Sequence, residues 1–332
     1  MNTILSKLQQ REDLSFDEAY ATMLRIMTGE YIDPEIAGFL IGMSMKGETT
    51  DEIAGFATAM REKMVKIPIT VDAIDMCGTG GDGTGTFNIS TAASFVVAGA
   101  GIPVAKHGNR SISSKSGSAD VLTELGVDIR MDPEKTARCV DDIGLGFLFA
   151  PALHPAMKHV MPARKALAVR TVFNILGPLC NPAEVKRQLI GLFDGKLTEK
   201  LAQVLKQLGT KSAMTVHGAD GLDEISTTGV TRMSILSESG EVESIEFDPK
   251  SVGYNSNSLQ DILGGSATDN AKIIRSILEG QSGPHRDITI LNAAAGLVVG
   301  GKAANIEEGL EYSKEAIDSG KAEKVLERLA SA

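Results

Sequence analysis

Cysteine is scarce and poorly placed for cross-linking: Cys77, Cys139 and Cys180 are the only three in 332 residues, far apart and without C-x-x-C spacing. That pattern argues against a disulfide framework or a zinc site and fits a reducing compartment. No Lys/Arg run and no basic patch interleaved with aromatics occurs, and the net charge is −10, so a nucleic-acid-binding surface is not the main role. The opening MNTILSKLQQREDLS lacks the long apolar core of a signal peptide. The most apolar run, residues 92–105, is interrupted by Gly99, Gly101 and Pro103 and is too short to span a bilayer. A cytoplasmic protein with no membrane contact is therefore expected. Repeats and low-complexity segments are also absent. A hydrophobic content of 42% over this length leaves room for one large domain or two with a substantial core.

What is present concentrates in residues 74–122, which read as strand, glycine loop, helix, strand, polar loop, helix. The first loop holds Gly78, Gly80, Gly81, Gly83 and Gly85. Such density permits positive φ and exposes main-chain N–H groups to a ligand. Asn88, Ser90 and Thr91, helix N-cap residue types, follow at once and lead into an apolar segment. A helix start of this kind offers free amides and the positive end of a dipole. The second loop, residues 106–116, sets Lys106, His107, Arg110 and Lys115 among Asn109 and several serines. In a parallel sheet both loops meet at one carboxyl edge. Two adjacent anion cradles suit a ligand with two separate phosphate groups. Gly78–Gly83 also matches GxGxxG, but the next strand ends in Lys106-His107 where a dinucleotide site needs an acid, and no Lys-Ser or Lys-Thr follows as a P-loop requires.

Residues 1–66 read as helical throughout. Ser15/Glu18 and Thr49/Glu52 form capping boxes, and Asp33-Pro34 predicts an N-cap followed by an N1 proline. Asp132-Pro133 caps a helix expected to stop at Gly144, followed by a buried strand at 146–150. Residues 150–183 are helical in composition, broken by prolines, and rich in His154, Lys158, His159, Arg164, Lys165 and Arg170. A solvated basic face is the simplest reading of any one of these. Arg164 is the choice for a pocket role, because a guanidinium forks onto a carboxylate and Lys cannot. Strands at 188–193 and 212–216 flank a helix at 197–208 as a βαβ unit, and 230–236 with 242–247 form a hairpin. Asp223 and Glu224, adjacent in a loop after a strand, read either as a solvated acidic turn or as oxygen ligands for Mg²⁺. Together the cradles and the acid pair suit a phosphoribosyl diphosphate better than a nucleotide. Displacing its pyrophosphate needs neutralisation of the leaving group and positioning, with no enzyme nucleophile.

Four motifs, CGTGGDGTGTFNIST (77–91), KHGNRSISSKSGSADVL (106–122), RTVFNILGPLCNPA (170–183) and HGADGLDE (217–224), carry a resemblance that covers essentially the whole chain. The sequence resembles the anthranilate phosphoribosyltransferase family of tryptophan biosynthesis, relatives of the type II pyrimidine nucleoside phosphorylases. The resemblance implies an α/β fold of the type II nucleoside phosphorylase-like kind. A small helical domain (1–66, completed by helices around 155–185) would precede a larger α/β domain (67–332) with a mostly parallel sheet. It implies a homodimer through the helical part and transfer from 5-phosphoribosyl 1-diphosphate to the amino group of anthranilate. Carried over, Gly78, Gly81, Asp82, Thr86, Asn88, Ile89, Ser90 and Thr91 would bind the diphosphate sugar. So would Lys106, His107, Gly108, Asn109, Arg110, Ser111, Ile112, Ser113, Ser114 and Ser118. Gly78, Asn109 and Arg164 would face anthranilate, with His107 and Pro178 lining its approach, while Ser90, Asp223 and Glu224 would hold Mg²⁺. Ala168 and Cys180 depart from the family's usual Gly and Thr or Leu. A phosphorylase relative would lack NRSISS and HGADGLDE, and a binding paralogue without activity would have no need of an intact acid pair.

Overall fold

The computed structural model describes residues 1–110, 115–254 and 258–332. Four helices open the chain: α1 (Asn2–Gln9), α2 (Phe16–Met27), α3 (Asp33–Lys46) and α4 (Thr50–Lys63). Both capping boxes form: Ser15 Oγ and Thr49 Oγ1 accept from Glu18 N and Glu52 N, and each glutamate returns a bond to its cap residue's amide. The expected cap at Asp33 lies one residue too late. The cap is Ile32, which has no side-chain acceptor, and only the return bond from its N–H to Glu35 at 3.1 Å is made. Glu52 is buried and ties the bundle, accepting from Leu14 N, Thr49 N and the Lys46 ammonium.

The α/β part follows as β1 (Ile74–Gly78), α5 (Ile89–Gly99), β2 (Val104–Gly108), α6 (Ser118–Glu124), α7 (Pro133–Arg138) and β3 (Leu145–Phe149). The helix expected to run unbroken to Gly144 instead widens into a π-helical stretch, Cys139–Ile143, which Gly144 ends at φ +91°. Next come α8 (Ala150–Leu153), α9 (Met161–Leu167), α10 (Phe173–Leu179), β4 (Arg187–Gly191), α11 (Thr198–Gln207), β5 (Ser212–Gly218) and the hairpin β6 (Thr231–Leu236) and β7 (Val242–Phe247). The chain finishes in α12 (Ala267–Leu278), α13 (Pro284–Val299), α14 (Ile306–Asp318) and α15 (Lys321–Ala330). No helix among the described residues is long and apolar enough to cross a membrane.

One seven-stranded sheet has the order β3-β2-β1-β4-β5-β6-β7. The five strands from β3 to β5 are parallel, and β6 and β7 are antiparallel. Strand residues alternate between two apolar clusters: Leu189 belongs with α5 and α13, whereas Ile190 belongs with α11 and the N-terminal helices. The second cluster joins Phe39 and Phe56, whose rings meet edge-on at 5.7 Å, to Phe173 and Leu176 of α10. Each such ring withdrawn from water contributes roughly 2–3 kcal/mol. The helical bundle is thereby seated against one face of the sheet. β1 bonds to both β2 and β4, so the connections leaving β1 and β4 diverge and open a crevice at their carboxyl ends.

Candidate active site

The glycine loop takes the backbone its composition demands, with Gly80, Gly81, Gly83 and Gly85 at φ between +66° and +75°. Gly78 has a different reason. A Cβ there would lie 2.4 Å from Asp223 Oδ2, and one on Gly191 would lie 1.5 Å from Asp223 O. The ends of β1 and β4 are thus bare so that the Asp223–Glu224 loop can dock onto them. Once docked, Asp223 Oδ2 accepts from Gly80 N at 2.8 Å and Glu224 Oε1 accepts from Ser90 N at 3.0 Å. Residues more than a hundred positions apart become neighbours.

That docking also revises the expected cap. Asn88 is the N-cap of α5 but its side chain makes no capping bond. Its Nδ2 donates to Ser116 O and its Oδ1 accepts from Asn270 Nδ2, so it stitches the second loop to α12. The first turn of α5 receives its acid from Glu224 instead. Ile89 and Thr91 are buried beneath it, and Thr86 forms an isolated bridge with Leu263. Asp82 accepts from Thr84 within the loop.

The adjacent pair Lys106 and His107 separates by strand alternation. Lys106 Nζ turns to the α5 face, donating to Met76 O at 2.5 Å and Ser90 Oγ at 3.2 Å. Burial lowers its pKa, opposed by the surrounding carboxylates. His107 turns to the opposite face, its Nε2 3.2 Å from that of His154. Burial, and then the neighbouring imidazole, lower His107 to about 3, and burial lowers His154 to about 4, so both rings are neutral at pH 7. Beyond Gly108, Asn109 O accepts from Ala119 N and Ser118 Oγ, while Arg110 pairs with Asp120 at 2.7 Å. Ser111, Ile112, Ser113 and Ser114 lie outside the described residues.

Burial is the first cause, and mutual repulsion the second, of the raised carboxyl values. Asp223 stands at about 6, pushed further by Asp82, and Glu224 at about 8, pushed further by Asp223. Among the described residues no three His, Cys, Asp or Glu side chains form a complete metal cage. Arg164, on α9, is half-buried with its guanidinium 5.3 Å from the Phe173 ring centre and its pKa lowered by burial. Its guanidinium makes no hydrogen bond or ion pair with any described residue. Arg170, read from sequence only as one of a basic cluster, donates to Gly81 O and stacks 4.2 Å over Phe193, pinning the glycine loop to the end of β4. His154 and Gly191 were likewise not singled out. His154 shows in the sequence only as part of a basic segment, and Gly191 only as a residue inside the strand expected at 188–193, which the structure ends at Gly191.

Two family models match the chain: the helical bundle domain of a glycosyl transferase family over residues 2–64 and its a/b domain over residues 70–323. The anthranilate phosphoribosyltransferase of Petrotoga mobilis is 49% identical over 329 residues, covering 99% of this chain and 95% of that protein. The solved anthranilate phosphoribosyltransferase of Thermus thermophilus superposes with a TM-score of 0.93 at 39% identity, covering 99% and 98% of the two chains. That of Saccharomyces cerevisiae, in complex with PRPP and Mg, gives 0.89 at 27% identity, covering 99% and 97%.

Proposed function

The chain belongs to the glycosyl transferase family of the anthranilate phosphoribosyltransferases, and from that premise we propose that it transfers the 5-phosphoribosyl group of 5-phosphoribosyl 1-diphosphate to anthranilate in tryptophan biosynthesis. The observation that carries the reading is the docked Asp223–Glu224 loop. Two carboxylates, forced upward in pKa by burial and repulsion, stand against a glycine loop and the start of α5. Such a pair favours a cation beyond the single ammonium of Lys106 beside it. The donor set of Asp223, Glu224 and the Ser90 hydroxyl is all hard oxygen and fits Mg²⁺, which keeps several waters and shares its shell with substrate phosphates. When bound, Mg²⁺ supplies neutralisation of the diphosphate leaving group.

The chain's own groups do the positioning. The glycine loop (Gly78, Gly81, Asp82, Thr86) and the turn from Asn88 to Thr91 would hold the diphosphate, with the α5 dipole facing negative charge. Lys106, His107, Gly108, Asn109, Arg110 and Ser118 would hold the rest of the sugar phosphate. Arg164, whose guanidinium rests over Phe173 and leaves its N–H groups without a bond to any described residue, would fork onto the anthranilate carboxylate, flanked by Gly78 and Asn109. The amino nitrogen then attacks the anomeric carbon directly. The C–N bond forms as the C–O bond to pyrophosphate breaks, and the amine releases a proton to solvent. Alignment of these two partners, with charge matched at each end, is the source of rate.

A homodimer through the helical bundle is part of the same reading, supported by Ile32 and Met45, which are 64% and 71% exposed there. Residues 1–66, completed by helices around 155–185, form the helical domain and 67–332 the α/β domain. Three free thiols support a cytoplasmic setting. The test is loss of anthranilate fluorescence in the presence of phosphoribosyl diphosphate and Mg²⁺. Consumption without the diphosphate sugar, or none with all components, would sink the reading.

A further inference from the structure

Asp75 sits in β1 with no exposed surface. Its Oδ1 accepts from His107 N at 3.0 Å, and its Oδ2 is buried without a donor. Gln188, on β4, is its register partner and is 1% exposed. Gln188 Nε2 donates to Pro178 O at 2.8 Å, which fixes the amide's orientation and leaves Oε1 buried without a donor. In-register residues of neighbouring parallel strands point to the same face, so the two orphaned acceptors belong to adjacent side chains on one face of the sheet. Two donors stand beside the carboxyl, the second Nδ2 proton of Asn181 and the Cys77 thiol, and both favour its charged form, but neither makes a hydrogen bond to Oδ2. Asn181, beside the Asp75 carboxyl, gives its Nδ2 to Ala105 O and takes Ala183 N on its Oδ1.

Charge does not resolve the mismatch either. The titratable groups around Asp75 are Cys77 on its own strand, Lys106 and His107 on β2, and His154 from the facing segment. Lys106 bonds on the opposite face, and the two imidazoles are neutral and turned to each other. A buried carboxylate with no cation on its own face is better satisfied as the acid. Burial does raise its pKa.

We infer that Asp75 is held as a neutral carboxylic acid whose Oδ2–H donates to Gln188 Oε1, and that this clasp is a positioning device for the acceptor side of the site. One proton satisfies both orphans. One end of the clasp holds the His107 amide and the other holds the Pro178 carbonyl, so the two walls of the anthranilate approach are fixed to each other. The kinetic consequence rests on the acceptor-site reading; the protonation state does not.

Infrared spectroscopy of the full chain at about pH 7 should show a protonated-carboxyl band that is lost in Asp75→Asn. It should be unmoved by Mg²⁺, unlike any band from Glu224. Asp75→Ala and Gln188→Leu should raise the anthranilate KM about tenfold, well beyond any change in the phosphoribosyl diphosphate KM. Asp75→Asn should recover most of the Asp75→Ala loss, because an amide keeps the acceptor for His107 and offers an N–H to Gln188. Identical infrared spectra for wild type and Asp75→Asn overturn the acid. Kinetics in which Asn is no better than Ala, or in which Gln188→Leu leaves the anthranilate KM unmoved, overturn the positioning role. Should Asp75→Ala not fold, the infrared comparison and Gln188→Leu still decide. A chain that never consumes anthranilate refutes the family reading while the infrared band still tests the clasp.

Discussion

Replacing Glu224 by Gln should make the metal-free protein more stable while disabling it. Glu224 titrates at about 8 when folded, against 4.5 for an ordinary glutamate, because it is buried and faces Asp223. Between those two values the folded chain keeps a proton that the unfolded chain has released. Stability therefore falls as pH rises through that window, and the full penalty is felt above about pH 8. At about 1.4 kcal/mol per pH unit, the gap between 4.5 and pH 7 sets a ceiling of about 3 kcal/mol. Glutamine is isosteric, keeps an acceptor for Ser90 N–H and carries no charge. The metal-free variant should thus melt up to roughly 5 °C above wild type near neutral pH, and within about 2 °C of it at pH 5. Mg²⁺ should raise the wild-type melting temperature near neutral pH and leave the variant almost unmoved. Thermal melts by circular dichroism across this pH range, with and without Mg²⁺, make the measurement. A variant less stable than wild type near neutral pH without metal, or one that gains as much from Mg²⁺, would refute the reasoning.

Arg164→Ala should raise the anthranilate KM by about tenfold or more, with the phosphoribosyl diphosphate KM unchanged, since a charge-assisted contact to the acceptor is lost; steady-state kinetics decide. Gly191→Ala forces a Cβ to within 1.5 Å of Asp223 O, so the acid loop must shift. A loss of activity of about a hundredfold, with weaker Mg²⁺ dependence in a metal titration, is expected. Ala168 ends α9 at φ +50°, a conformation that glycine adopts without the Cβ clash. Ala168→Gly should stabilise by about 0.5–1 kcal/mol in urea melts, and destabilisation would show the methyl to be better placed than its backbone suggests. With His107 at about 3 and His154 at about 4, ring nitrogen chemical shifts should stay flat between pH 5.5 and 8.

Sequence made legible what is settled within a few residues. The Ser15 and Thr49 caps, the glycines with positive φ and the strand–loop–helix order all formed as expected. Where a residue had a distant competitor, local rules failed. Asn88 has a cap residue's chemistry but is drawn off by Ser116 and by Asn270, 182 positions away. Gly191 looks like an ordinary glycine in the strand expected at 188–193 until Asp223 is seen resting on it. Arg170 reaches Gly81 across 89 positions, and the Asp75–Gln188 pairing exists only through sheet register. Candidate residues could thus be chosen one by one from motifs. Which of them restrain the others could not, because that depends on contacts no spacing encodes.

The outermost strand carries one more implication. Among the described residues β7 pairs on one side only, with β6, and its residues Glu243, Ser244, Ile245 and Glu246 are solvent-exposed. A second copy adding itself there would bring like charges face to face, and the short hairpin would present little greasy surface in return. Lateral polymerisation through the sheet is discouraged by composition alone, which leaves self-association to other surfaces of the molecule.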